Sequence, residues 1–242
     1  WVRLTTKSEM WSRLWEFGGR RAGAKIFFTP RACCGRGFGL WGRYGSSDPQ
    51  WHTVSSNVEW SRYNEWVHLA VTVRREGGSQ VAKVIVDGVE VASGSFPVTM
   101  KQVVRARNYL GSWSGAPQVD GLVDEFRVWG YPRSAEGLAL ASQRTMLGTE
   151  AGLLLYLRFD EEKSAAQFDW SRHNLVAYIY GQGKWSQDTP PHLLARWDGW
   201  LARNNSDECP HECNGKGKCV DWQCVCDEGY AGADCNLERW RW

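Results

Sequence analysis

Apolar and polar residues alternate with a period of two through much of the first 190 positions, the pattern of strands buried on one face. The clearest run is Glu65–Arg74, which stops at the turn formers Gly77-Gly78. Val81–Val86 and Val89–Ala92 follow, joined by Asp87-Gly88. Asp-Gly between β-branched runs predicts a tight hairpin, because a type I′ turn needs positive φ at both central residues. Further strands are predicted over Gly121–Trp129, Gly152–Phe159 and Leu175–Tyr180. Ser134 can cap one short helix over about Ala135–Met146, with Leu138, Leu140 and Ala141 at helical spacing. Many short strands with one helix argue for two packed sheets, since a single open sheet leaves an apolar face uncovered.

Composition narrows the class. There are 16 Trp against 3 Met in 242 residues, the opposite of a disordered chain. A net charge of +2 is too small for a nucleic-acid binder, and no apolar run reaches the ~20 residues of a membrane-spanning helix. The opening Trp1-Val2-Arg3-Leu4 reads as a strand already under way, so we expect a segment of a larger protein. Six of the 8 cysteines lie between Cys209 and Cys235, a density that belongs outside the reducing cytosol. Cys-x-x-Cys knuckles of the kind that hold zinc are missing there, so disulfides are expected. Pro190-Pro191 and Asn204-Asn205-Ser206 mark the boundary. We therefore expect a β domain over 1–190, a linker over 191–206, a cysteine module over 207–237, and the start of a next segment at 238–242.

The order of segments in the first domain resembles the laminin-G-like jelly roll of the concanavalin A-like lectin/glucanase superfamily. The residues that carry it are Trp1-Val2-Arg3, Trp66–Thr72, Val84–Gly88, Asp120–Trp129 and the helix start Arg133–Glu136. Gly148–Leu153, Tyr156–Glu161 and Asp169-Trp170-Ser171-Arg172-His173-Asn174 complete it. The last of these is similar to the family's aspartate-serine-glycine-asparagine turn, with Arg172 in the glycine's place. The resemblance implies an all-β, two-sheet jelly-roll sandwich.

The cysteine spacing, Cys209-x3-Cys213-x5-Cys219-x4-Cys224-x-Cys226-x8-Cys235, resembles an epidermal-growth-factor-like module. That resemblance implies the pairs Cys209–Cys219, Cys213–Cys224 and Cys226–Cys235. A module this small buries too little apolar area to fold without its bridges. Asn205-Ser206-Asp207-Glu208 partly matches the calcium-binding version of the module. The short loop Val220-Asp221-Trp222-Gln223, however, resembles the tenascin type, which takes no calcium.

Since the superfamily includes glycoside hydrolases, a carboxylate pair facing across a sugar has to be looked for. The nearest sequence is Val123–Val128, but Asp124 and Glu125 are adjacent and point to opposite faces of a strand, so no catalysis is expected. Asp124 lies on an apolar strand face. It is either a carboxylate satisfied by the fold or a calcium ligand, with Asp120 or Asp87 as companions; calcium is the sole cofactor that arises. Trp11, Trp15, Trp41, Trp51 and Trp60 lie in turn-rich stretches and are candidates for ligand or partner contact, as a flat indole stacks on a sugar. Cys33 and Cys34, left over from the module, would form a vicinal disulfide, remain thiols or bridge to another chain. Asn204 is a glycosylation acceptor by its sequon, and Trp197-Asp198-Gly199-Trp200 has the spacing of tryptophan mannosylation.

The function expected is non-catalytic recognition or adhesion at the cell surface or outside the cell. Its partners would be glycans, or matrix and surface proteins, but no nucleic acid. The alternative is a structural subunit of an extracellular filament or coat, such as a flagellar hair, that self-assembles. A glycoside hydrolase is the third and least supported class.

Overall fold

The computed structural model describes residues 1–18, 24–44, 50–77, 79–96, 107–111, 117–160, 166–179 and 183–190. In the cysteine module it describes 213, 216–220, 223–227, 230–231, 235 and 237–238. The chain divides between Val123 and Asp124 into two compact units.

Unit 1 is a sandwich. Its larger sheet has five strands, β2 (Trp15–Gly18), β3 (Ala24–Thr29), β4 (Gly39–Tyr44), β5 (His52–Ser55) and β9 (Arg107–Leu110). They are ordered β5-β4-β3-β2-β9, with every pair antiparallel. The smaller sheet is β6 (Leu69–Glu76), β7 (Ser79–Val86) and β8 (Val89–Phe96). A two-stranded ribbon pairs β1 (Val2–Leu4) with β10 (Gly121–Val123). Alternate residues of each sheet enter a common core. From the five-stranded sheet come Ile26, Phe28, Leu40 and Val54, and from β7 come Ala82 and Val84; Val2, Leu4, Phe38, Trp60 and Val67 close it. The Asp87-Gly88 turn takes the two positive φ values the hairpin demands, 48° and 82°. The alternation fixes this register, because a one-residue slip would expose Ala82 and Val84.

The strands of the five-stranded sheet lie where glycines had pointed to turns. Gly39 is a strand residue chosen by close approach: a Cβ there would lie 2.5 Å from Ser55 Cα and from the Val54 carbonyl oxygen. The predicted run from Glu65 also starts later as a ladder. Val67 makes an isolated bridge to Val2, and regular pairing begins at Leu69.

In unit 2, β11 (Phe126–Trp129) pairs with β12 (Leu153–Leu157), and β13 (Ala166–Phe168) with β14 (Val176–Tyr178). The strand expected over Gly121–Trp129 is in fact two. It breaks at Asp124-Glu125, where Glu125 takes a φ of 53° that no strand residue adopts.

Helix α1 (Ala135–Ser142) begins as predicted, with the Ser134 hydroxyl accepting the Gly137 N–H. It ends four residues short of Met146 because Arg127 takes its last carbonyls. The guanidinium donates to the Ala141 carbonyl at 2.7 Å and the Arg144 carbonyl at 2.6 Å, placing a cation where the helix dipole is negative. Glu125 is buried and pairs with Arg127. The Tyr156 hydroxyl donates to the same carboxylate at 2.7 Å and receives the Met146 N–H at 3.1 Å. Burial first, and the Glu125 charge with it, push the Tyr156 pKa up. The left-handed turn at Glu125 thus aims a carboxylate inward to join strand, helix end and Tyr156.

Asp169 organises the same end of β12 through its backbone. It accepts the N–H groups of Tyr156, Ser171 and Leu175 at 2.9, 2.8 and 3.2 Å, and the Ser171 hydroxyl at 2.7 Å. Burial acts to raise its pKa, but these donors outweigh it and hold the carboxyl below its ordinary value. Arg172 fits the turn in a glycine's place because the left-handed residue is Asn174, at φ 51°.

In the cysteine module, β15 (Gly217–Val220) and β16 (Gln223–Cys226) form a hairpin, and β17 (Tyr230–Ala231) pairs with β18 (Leu237–Glu238). The Cys226–Cys235 disulfide is present. Cys213 is also disulfide-bonded and packs with Cys226, Cys235 and Tyr230. The side chains of Cys209, Cys219 and Cys224 lie outside the described residues, as do Asn204, Asn205–Glu208 and Trp197–Trp200.

Replacing Tyr156 by Phe leaves the buried Glu125 carboxylate and the Met146 N–H each short of a partner. Such losses cost on the order of 1–3 kcal/mol, so Tyr156→Phe should lower the denaturant midpoint with an unchanged m-value.

Candidate functional site

The chemistry-bearing face of unit 1 is the outer side of the five-stranded sheet. Along β3, Ile26 and Phe28 enter the core, so Lys25 and Phe27 project the other way. Phe27 is nonetheless buried, at 2% exposure. Its cover is a cationic and aromatic layer. The Arg13 guanidinium carbon lies 3.5 Å from the Phe27 ring centroid, and Trp51 meets that ring edge-on at 5.5 Å. Arg13 is fixed by Glu16 at 3.2 Å and by the Trp11 carbonyl at 2.6 Å. Burial pulls its pKa below the ordinary arginine value, and Glu16 opposes that shift.

Trp51 is the member of this layer that faces solvent, at 39% exposure. Two cations flank it, Lys25 at 5.6 Å and Arg43 at 5.9 Å from its ring centroid. Lys25 also faces Glu16 at 3.8 Å. One strand over, Trp41 is buried and stands edge-on to Trp11 at 4.8 Å, with Arg36 5.5 Å above its ring. Trp41 pairs directly with Thr53 across β4 and β5. The indole Nε1 of Trp41 and the hydroxyl of Thr53 are both buried without a hydrogen-bond partner. Buried polar atoms are rarely left so. The face offers an exposed indole and two flanking cations.

The five tryptophans expected to make contacts have divergent fates. Trp51 is exposed and Trp11 half-buried. Trp15 is half-buried on the core side, stacked on Phe17 at 5.1 Å and Phe28 at 6.3 Å. Trp41 and Trp60 are corrected to buried residues, at 8% and 6% exposure. Trp60 packs edge-on to Phe38 at 5.1 Å and donates its N–H to the Arg62 carbonyl. Local glycines and serines had suggested turns, but strands and core bring these rings inside. Thr53, Lys25 and Arg43 carried no signal of their own; only the cross-strand register gathers them.

The three aspartates expected to share calcium are not brought together. Asp87 pairs with Arg62 and accepts the His68 N–H at 2.8 Å. Asp120 accepts the Thr6 hydroxyl at 3.1 Å. Asp124 accepts the Glu125 N–H at 2.8 Å, and burial first, then the neighbouring Glu125 charge, push its pKa up to about 6. Among the described residues no three His, Cys, Asp or Glu side chains converge as a metal site. Cys33 and Cys34, for which a vicinal disulfide was the leading expectation, are both free thiols.

An antiparallel two-sheet sandwich carrying an aromatic outer face, with a small disulfide-bonded module after it, defines the class by its fold. Comparison makes the family specific. Residues 1–139 of the 242 match the family described as the concanavalin A-like lectin/glucanases superfamily, and the chain belongs to it. Residues 208–236 match the tenascin EGF domain. Among solved structures, one similar chain is a candidate carbohydrate binding protein from Bacteroides ovatus. The similarity has 15% identity and a TM-score of 0.43, covering 74% of this chain and 58% of that one. No curated protein is significantly similar. No helix among the described residues is long and apolar enough to cross a membrane.

Asp124 has a folded pKa of about 6 against an ordinary 3.8. Its contribution to stability is fully present below the lower value and is lost as pH rises through the upper one. Asp124→Asn, which mimics the neutral acid, should match the parent below pH ~4 and exceed it by about 2–3 kcal/mol above pH ~7. Unfolding curves across this range check the sign.

Proposed function

We propose that this chain is a non-catalytic carbohydrate-binding module of an extracellular or cell-surface protein, and that it grips its ligand on the outer face of the five-stranded sheet. The observation that carries the reading is Trp51, an exposed indole held in place by the buried Phe27 ring. An indole so fixed loses little entropy when a sugar's C–H face stacks on it. Lys25 and Arg43 frame the rim. Superfamily membership supports the same reading. The disulfide module acts as a compact, stapled spacer.

Catalysis is not part of the proposal. Asp124 and Glu125 are adjacent and buried, and Glu125 is bound by Tyr156 and Arg127; they do not face each other across an open cleft. Trp51→Ala should weaken binding on a glycan array at least ~10-fold, as the loss of a stacked ring costs on the order of 1.5 kcal/mol. Trp170→Ala, removing an equally exposed indole of unit 2, should leave binding intact. Equal binding by the parent and Trp51→Ala would overturn the assignment.

A second reading, self-assembly into a filament or coat, is favoured by unit 2. One face of the β13–β14 hairpin presents Phe168, Val176 and Tyr178, at 57, 46 and 60% exposure. Exposed apolar faces of this kind mark interaction surfaces. If a second copy covers it, Phe168→Asp should abolish concentration-dependent association in sedimentation velocity.

A further inference from the structure

We infer that Cys33 and Cys34 form a redox modification site, which a small-molecule disulfide of the glutathione class converts from two thiols to an internal disulfide. The site is independent of the carbohydrate reading. Cys213, Cys226 and Cys235 are disulfide-bonded, whereas Cys33 and Cys34 stand as neighbouring thiols in a surface turn of the sandwich. They are within hydrogen-bond contact of each other, and that bond is the first cause holding the Cys33 thiol's pKa up. Cys34 is exposed and Cys33 half-buried, so an incoming disulfide meets Cys34 first. Arg36, the smallest of the causes, opposes the rise in the Cys33 pKa.

The chemistry closes without any other reactant. The Cys34 thiolate attacks one sulfur of the oxidant RSSR, forming a mixed disulfide and releasing one thiol. Cys33 then attacks the Cys34 sulfur, expels the second thiol and closes the Cys33–Cys34 bond. The protein loses two hydrogens and the oxidant leaves as two RSH. Adjacency makes the second step intramolecular and favours it over a lasting adduct.

The backbone is suited to the change. Cys34 and Gly35 both lie at positive φ, 65° and 75°, and the space around Gly35 is open. The base of the turn is pinned by the Arg36 N–H on the Cys33 carbonyl at 3.2 Å and the Ala32 N–H on the Gly37 carbonyl at 3.3 Å. A bridge between neighbours closes almost no loop, so it adds little of the entropic stabilisation of a structural disulfide, and its strained ring is readily reduced. Its role is therefore reversible. The same turn carries Arg36 over the Trp41 ring and packs Ala32 against Trp41, Phe27 and Trp11.

The test is intact mass spectrometry of the full chain equilibrated with glutathione buffers of graded oxidation, with the remaining thiols alkylated. The parent should pass from two alkylated thiols to none, with the loss of two hydrogens and no glutathione retained. Cys33→Ser, lacking the second thiol, should instead hold one glutathione on Cys34. A glutathione adduct that persists on the parent would overturn the inference. So would two thiols alkylated across the whole range, or chains joined in pairs by a disulfide.

Discussion

The site exists because β3 is apolar on both faces. Ile26 and Phe28 point into the sandwich, and Phe27 points away from it, yet all three are buried. A strand central in its sheet cannot leave a phenyl ring in water without loss, since burying a large apolar side chain stabilises by about 1.5–3 kcal/mol. Something must therefore cover the outer face. Arg13 covers one side of Phe27 and Trp51 the other. That demand fixes Trp51 in place, while its position before β5 leaves the indole partly in solvent. The aromatic platform is thus a by-product of closing a second small core, composed of Phe27, Ala32, Trp41 and Trp11, on the back of the first.

A comparable logic runs through unit 2, with polar groups in place of rings. Glu125 and Asp169 are both buried carboxylates, and each is surrounded by donors from separated parts of the chain. They set the chain reversal after β10, the end of α1 and the turn before β14. A charge buried with its partners present specifies geometry more than it adds stability. Asp124 is the exception. Its pKa is raised where that of Asp169 is lowered, because burial and the Glu125 charge outweigh the N–H it accepts.

How far the sequence revealed this depended on the range of the signal. The β7–β8 hairpin was legible, since Asp87-Gly88 and the flanking alternation are local. So were the Ser134 cap and the Cys226–Cys235 bridge that the module resemblance implied. The strands β2 to β5 were not, because the stretches around Trp15, Trp41 and Trp51 read as turn-rich, although Gly39 there is required by strand proximity. The tryptophans failed for a related reason. Whether an indole is exposed depends on what crosses over it, and neither the Trp11–Trp41 contact nor the Trp41–Thr53 pairing leaves a mark in local pattern. Nor does composition foretell that Glu125 would adopt a left-handed turn.

The account's central claim is that Trp51 is the ligand-contacting ring of the outer face. The most direct measurement is a two-dimensional ¹⁵N NMR titration of the indole N–H signals with a bound oligosaccharide. The account predicts that the Trp51 signal shifts saturably, while that of Trp60, whose N–H is held by the Arg62 carbonyl, stays fixed. Saturable shifts confined to other indoles, with Trp51 unmoved, would contradict it.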